Sequence, residues 1–261
     1  MNFLLKILIF QSFLVIFLKA EYKYDEQEIL QRKCSMGKNC NLPYCNCDSA
    51  EIPVDISKHY KLLDLPQLVV LTIDDDKLDL KSYQVYKKLL ESFKNPDNTS
   101  IKATFFVSDS VNKTSFCLLR NLYDKNHEIA ISTRNYTCPN KRCSTEKDFQ
   151  SWDYREWMTE ILNMRHLLNR YAGIPISDIV GFRAPILEPA ADMHYKIISS
   201  HNFLYDSSLV INSDDDKFVW PFTFDYTMNS PLSNNGPIQL YPGLWELPIP
   251  TYVNLDNSNF F

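Results

Sequence analysis

Glycine is scarce in this chain, with five in 261 residues. Neither G-x-G-x-x-G nor G-x-x-x-x-G-K occurs, which excludes the glycine loops that cradle phosphate in dinucleotide and nucleoside triphosphate sites. Basic residues are not in excess: 27 Lys and Arg stand against 32 Asp and Glu, a formal charge of −5. Nucleic acid is therefore not an expected partner, because its binding demands basic clusters. The C-x2-C pairs of zinc modules are absent as well. The one long apolar run, Ile7 to Leu18, is interrupted by Gln11 and Ser12 and is too short to span a bilayer.

What is present fits an exported globular chain. Apolar residues make up 45% and aromatics 13% of the sequence, enough for a substantial core. A short basic start, the apolar run and the small Ala20 read as a signal peptide over 1–20, though Leu18 is a poor residue two before the cut. The mature chain is expected to be secreted, with no membrane span after cleavage. Sequons at Asn98, Asn112 and Asn135 agree. Seven cysteines, Cys34, Cys40, Cys45 and Cys47 and then Cys117, Cys138 and Cys143, read as disulfides in an oxidising compartment, one thiol being left over. Zinc held by the first four is the alternative, against which C-x5-C-x4-C-x-C spacing argues. The expected organisation is a signal peptide (1–20), a Cys-rich segment and linker (21–65), and one domain (66–261).

Within that domain strands and helices alternate. Leu68 to Ile73 is uniformly apolar or β-forming and ends in Asp74, Asp75 and Asp76, which predicts a strand buried on both faces. Helical stripes follow over 79–93, 115–123, 153–171 and 192–200. Further strands are expected at 103–108, 128–132, 179–185, 204–209 and 244–249. On the longest helix Gly173 and Pro175 supply the stop, and His166 falls on the surface side. Repeated β-then-α units predict parallel strands with right-handed crossovers, either a barrel or a doubly wound sheet. Polar residues at strand ends (Asp74 to Asp76, Ser132 with Thr133, Arg183, Asp206) would then converge on one rim. Two carboxylates and an arginine there could serve a metal-assisted hydrolysis, one acid as ligand and one as base. Solvated strand ends, a structural ion pair at Arg183 and a turn at Asp206 are the plain alternatives.

Several segments, in order, carry a resemblance. Leu71-Thr72-Ile73-Asp74-Asp75, Ala103-Thr104-Phe105-Phe106-Val107-Ser108, His127-Glu128-Ile129-Ala130, Gly181-Phe182-Arg183-Ala184-Pro185, Leu204-Tyr205-Asp206-Ser207-Ser208 and Trp220-Pro221-Phe222-Thr223-Phe224-Asp225-Tyr226 resemble the NodB-type polysaccharide deacetylases. Tyr241-Pro242-Gly243-Leu244-Trp245-Glu246-Leu247-Pro248 and Cys40-Asn41-Leu42-Pro43-Tyr44-Cys45-Asn46-Cys47 resemble the chitin deacetylases of animals. The resemblance implies a distorted (β/α) barrel that removes acetyl groups from chitin with a divalent metal, usually zinc. By position it implies Asp74 as base, Asp75 as metal ligand and Arg183 as the residue orienting the base. Pro185, Asp206 and Trp245 become candidate substrate contacts.

The sequence departs from that family at the metal. Where two histidine ligands are expected, Ser132 and Tyr136 stand, and His127 belongs to the start of the strand. Ile186 replaces a tyrosine after the Arg-x-Pro motif, and Phe261 precedes the family's late Leu-x-His motif, so the barrel is expected to be cut short. Asn135 lies inside the altered metal motif. The expectation is a secreted, monomeric chitin deacetylase-like protein, catalytically impaired and chitin-associated, with no bound cofactor. A working amidohydrolase and a structural or interaction module are the alternatives. If the compartment is oxidising, alkylation of the native protein followed by mass spectrometry leaves Cys34, Cys40, Cys45 and Cys47 unlabelled. Labelling of all four would contradict both secretion and disulfides.

Overall fold

The computed structural model describes Pro43 and residues 69–147, 150–212, 221–225, 236–253 and 259–260. The expected signal peptide, the Cys34–Cys47 segment apart from Pro43, the linker and Trp220 lie outside the described residues.

Five short parallel strands form the centre of the sheet: β1 (Thr72–Asp75), β2 (Thr104–Val107), β3 (Glu128–Ile131), β4 (Gly181–Phe182) and β5 (Tyr205–Asp206). They lie side by side in chain order. Helices α1 (Leu80–Ser92), α2 (Phe116–Asp124), α3 (Tyr154–Leu167) and α4 (Asp192–Ser200) fill the connections. Sequential order with crossovers of one hand places every helix on the same face. The core shows this directly. Leu90, Leu119, Leu122, Trp157, Ile161, Met164, Tyr195, Ile197 and Ile198 pack in one cluster with Phe105, Val107, Ile129, Ile131 and Phe182 of the strands. That is the winding of a barrel rather than of a doubly wound sheet. The sheet is nevertheless open among the described residues. Beyond β5 lies β8 (Tyr241–Glu246), and against β8 the antiparallel β7 (Phe222–Phe224). A separate three-stranded sheet joins β6 (Val210–Asn212), β9 (Ile249–Val253) and β10 (Asn259–Phe260). None of the described helices is long and apolar enough to cross a membrane.

Local sequence explains the helices. Asp79 and Asp153 each cap a helix and close a capping box, with Ser82 and Glu156 at the third position. Helix α3 ends through a π turn (Leu168–Ala172), and Gly173 takes the left-handed conformation that stops it. His166 is exposed, as its place outside the apolar stripe implied. One expectation is corrected at β1. Val69 and Val70 are 81% and 70% exposed, and the strand begins only at Thr72. Strand β1 pairs with β2 alone, so residues before it have no second neighbour among the described residues to bury them.

On the face away from the helices, Phe106, Ala130 and Tyr205 form a second small cluster, with Trp245 against it. Gly181 pairs with Tyr205 in register, and a Cβ at 181 would overlap the Tyr205 ring. Gly181→Ala should therefore cost about 1–3 kcal/mol, the usual penalty of overpacking. In urea denaturation, adding it to Tyr205→Leu should cost little more than Tyr205→Leu alone. Equal penalties in both backgrounds would rule out the close approach.

Candidate active site at the carboxyl edge of the sheet

Strand alternation decides where each acid goes. Asp74 pairs with Phe106 in register and shares its inner face, whereas Asp75 pairs with Val107 on the helix-covered side. Arg183 follows β4 and turns its guanidinium onto the inner face. Its Nη1 donates to Asp74 Oδ1 and to Thr72 Oγ1, both at 3.1 Å. Its Nε donates to the Ser207 carbonyl and its Nη2 to Ser207 Oγ, both at 2.8 Å. Beneath it lies the Phe106 ring, 3.9 Å from Cζ to the centroid. Arg183 is 4% exposed, while the Asp74 side chain keeps 34% of its surface. The carboxylate is thus oriented by a buried cation yet open to solvent.

Tyr136 joins this group. Burial, with the charge of Asp74 added, raises its phenol above the ordinary range, and the Ile186 amide and Arg183 offset part of that rise. Its own backbone is left-handed (φ 48°), as are Ile186 and Leu187 (φ 57° and 54°). Pro185 is buried at the start of the turn Pro185–Leu187. Ser132 continues the inner face beyond Ala130; its Oγ is buried and has no hydrogen-bond partner. Asp75 is 5% exposed, and its Oδ1 accepts from the Lys77 amide at 3.0 Å. Burial raises its carboxyl above the usual range.

No protein-family model matches the chain. Among curated proteins it is 26% identical over 219 residues to chitin deacetylase 8 of Bombyx mori, covering 84% of this chain and 54% of that protein. To chitin deacetylase 1 of Bombyx mori it is 27% identical over 218 residues, covering 81% of this chain and 38% of that protein. The chain is related to the NodB-type polysaccharide deacetylases. It spans about half the length of the first relative and less of the second. Solved structures resembling it include a family 4 acetyl xylan esterase from Clostridium thermocellum in complex with a cobalt ion (22% identity, 57% of this chain, 60% of that chain, TM-score 0.39). A family 4 carbohydrate esterase from Streptomyces lividans in complex with acetate is another (12%, 74%, 96%, TM-score 0.39). A third is a mutant of a family 4 pseudoenzyme with restored enzymatic activity (14%, 69%, 55%, TM-score 0.41).

The residues at this deacetylase-type rim do not fit a catalytic zinc. Such a metal takes three protein ligands drawn from imidazole, thiolate and carboxylate. Here the candidate set is one carboxylate on the helix side of β1, a neutral hydroxyl and a phenol that burial keeps protonated. Among the described residues no group of three or more His, Cys, Asp or Glu is placed to hold an ion.

The other candidates divide. Trp245 lies on the inner face, where its indole N–H donates to the Pro43 carbonyl. The three sequon asparagines are exposed. Asn112 Oδ1 accepts from Arg134, and Asn135 Nδ2 donates to Glu160 Oε1 at 2.6 Å. Cys138 and Cys143 form a disulfide, and Cys117 is an exposed free thiol. Asp206 requires a correction: expected to touch substrate, it is fully buried on the helix side of β5. Its oxygens accept from Ser208 N and Ser208 Oγ, both at 2.9 Å, and Ser208 Oγ in turn accepts from the Ala184 amide at 2.8 Å. It shapes the loop beside Arg183 rather than a ligand.

Sequence reasoning missed the acid opposite. Glu246 pairs with Asp206 in register, is equally buried, and accepts from the Leu209 amide at 3.1 Å. His194 and Tyr195 close over the pair. Burial first, and then the Asp206 charge, push the Glu246 carboxyl well up, so the folded protein holds a proton there that the unfolded chain releases near pH 4.5. Above that pH the folded state binds more protons, and stability falls as pH rises, by up to about 1.4 kcal/mol per unit for one proton. Urea midpoints at pH 5.5, 6.5 and 7.5 should fall more steeply for the native protein than for Glu246→Gln. Parallel curves would mean that Glu246 ionises normally.

Proposed function

We propose that the protein is a secreted, monomeric, chitin-associated member of the deacetylase lineage that binds N-acetylglucosamine polymer without hydrolysing it. The observation that carries this reading is the division of the rim. The Asp74–Arg183 pair is assembled and solvent-open, while Ser132 and Tyr136 occupy the positions of the expected imidazoles. Asp74 could still take a proton from water. Acyl transfer also needs a charge-stabilising centre at the carbonyl and a water made acidic enough to attack. Bulk water has a pKa of about 15.7, and a carboxylate base alone does not overcome that.

Binding does not depend on the metal. Beside the rim a groove of about 520 Å³ is lined by Trp152, Asn135, Thr137, Arg155 and Glu160, an aromatic edge among polar groups of the kind that pack and hydrogen-bond a sugar ring. Its polymer need not enter the catalytic rim to be held. The intact Asp74–Arg183 pair favours one alternative, a working amidohydrolase with an altered centre.

Insoluble chitin separates the readings. We expect the protein to be retained on chitin and to release no acetate from chitin oligomers, with or without added zinc. Acetate release that Asp74→Asn abolishes would overturn the non-catalytic reading, and absence of both retention and release would favour a structural module.

A further inference from the structure

A second cavity, of about 270 Å³, opens beside residues that precede β2 and β3, at the sheet edge opposite Asp74. Its wall carries Lys87, Lys94, Lys102 and Lys125 against one acid, Glu91, and its base includes the buried His127. Four ammonium groups to one carboxylate is an unusual balance on a chain of formal charge −5. Three of the amines are tethered. Lys125 Nζ lies 2.9 Å from Glu91 Oε1, Lys94 Nζ donates to Ser100 Oγ at 2.8 Å, and Lys102 Nζ donates to the Lys125 carbonyl at 2.6 Å. Each such amine has three donors; Lys125 also meets the Tyr83 hydroxyl, and every one of the three keeps at least one donor for a ligand. Lys87 has no hydrogen-bond or ion-pair partner among the described residues.

His127 reports the potential inside. Its Nδ1 accepts from the Ala103 amide at 3.3 Å, which leaves the neutral ring's proton on Nε2, a further donor. Burial and the charges of Lys102 and Lys125 hold the imidazole below its ordinary range. Clustered like charges persist at a cost that a bound anion would relieve. Lysines act as point charges with movable donors, which suits a tetrahedral oxyanion better than a planar carboxylate.

We propose that this cavity is a binding site for one sulfate or phosphate group, free or carried as an ester on a sugar. The cavity has room for one such group with a sugar ring rather than for a polymer backbone. Leu90 and Leu122 supply an apolar patch for the ring. Because the cavity lies at the opposite strand ends, a ligand here does not compete with one at the Asp74 rim.

Calorimetric titration of the whole chain at low ionic strength tests this with three probes: inorganic sulfate, N-acetylglucosamine 6-sulfate and N-acetylglucosamine. Both sulfates should bind once per chain and the unsulfated sugar should not bind in the cavity. Lys87→Gln with Lys102→Gln, both exposed and so safe for folding, should weaken sulfate binding at least about tenfold, the loss of two charged hydrogen bonds. Lys196→Gln, outside the cavity, should leave it unchanged. Tighter binding of the sulfated sugar identifies an ester ligand; equal or tighter binding of inorganic sulfate identifies the free ion. Absence of sulfate binding, or equal affinity in the double variant, overturns the proposal.

Discussion

A buried guanidinium has five N–H donors and no way to lose its charge, so whatever surrounds it must be arranged around it. Arg183 imposes that condition on the carboxyl edge of this sheet. It joins β1 through Thr72 and Asp74, the segment after β5 through Ser207, and β2 through the face of Phe106. Ser207 is itself fixed, since its hydroxyl donates to the Leu247 carbonyl at 2.8 Å. One side chain thus links the carboxyl ends of β1 and β5, which are not neighbours in the sheet. Asp74 owes its orientation to this. It is the only charged partner of Arg183 within ion-pair distance among the described residues.

A second polar centre lies on the opposite face of the same strands. Asp206 and Glu246 face each other across β5 and β8, both fully buried beneath α4. Two carboxylates so placed cannot both ionise cheaply, and one proton between them removes most of the repulsion. Their acceptors hold the amides of Ser208 and Leu209, and Ser208 holds Ala184 next to Arg183. The rim is therefore braced from below by groups that no ligand touches. Tyr136 feels the charges of the first centre, Asp74 and Arg183, and not those of the buried acids.

Much of this was legible in the sequence because helices announce themselves. The capping residues Asp79 and Asp153, the stripe through Trp157 and Ile161, and the stop at Gly173 each have a local cause. Asp74 and Arg183, both at strand ends, lie within hydrogen-bond distance, whereas Tyr136 reaches them from beyond β3, where no strand-end pattern placed it. The strands were less legible. Four residues or fewer in each of β1 to β5 give alternation little room to show, and a shift of one residue exchanges the two faces. That is why Tyr205 and Asp206, adjacent in one motif, point to opposite sides, and why Asp206 read as a ligand contact. Strands β6, β7 and β9 depend on partners distant in sequence, which no local pattern records. Val69 and Val70 look like core and lie at an edge; hydrophobicity alone does not say how many neighbours a strand has.

Backbone strain shows how firmly the rim is held. Tyr136, Ile186 and Leu187 all take positive φ, a region that costs a β-branched or bulky residue roughly 1–3 kcal/mol. No local preference puts an isoleucine there. What puts it there is the ring of Pro185, buried before it, and the Ala184 amide tied to Ser208. Those ties run back to Asp206, so the conformation beside Arg183 is dictated by the buried acids rather than by the loop's own sequence. The result presents the Ile186 amide toward the Tyr136 phenol, a backbone donor aimed into the site whatever side chain stands at 186. A rim built in this way keeps its shape when individual side chains on it change, because backbone and buried groups, not the exposed side chains, set it.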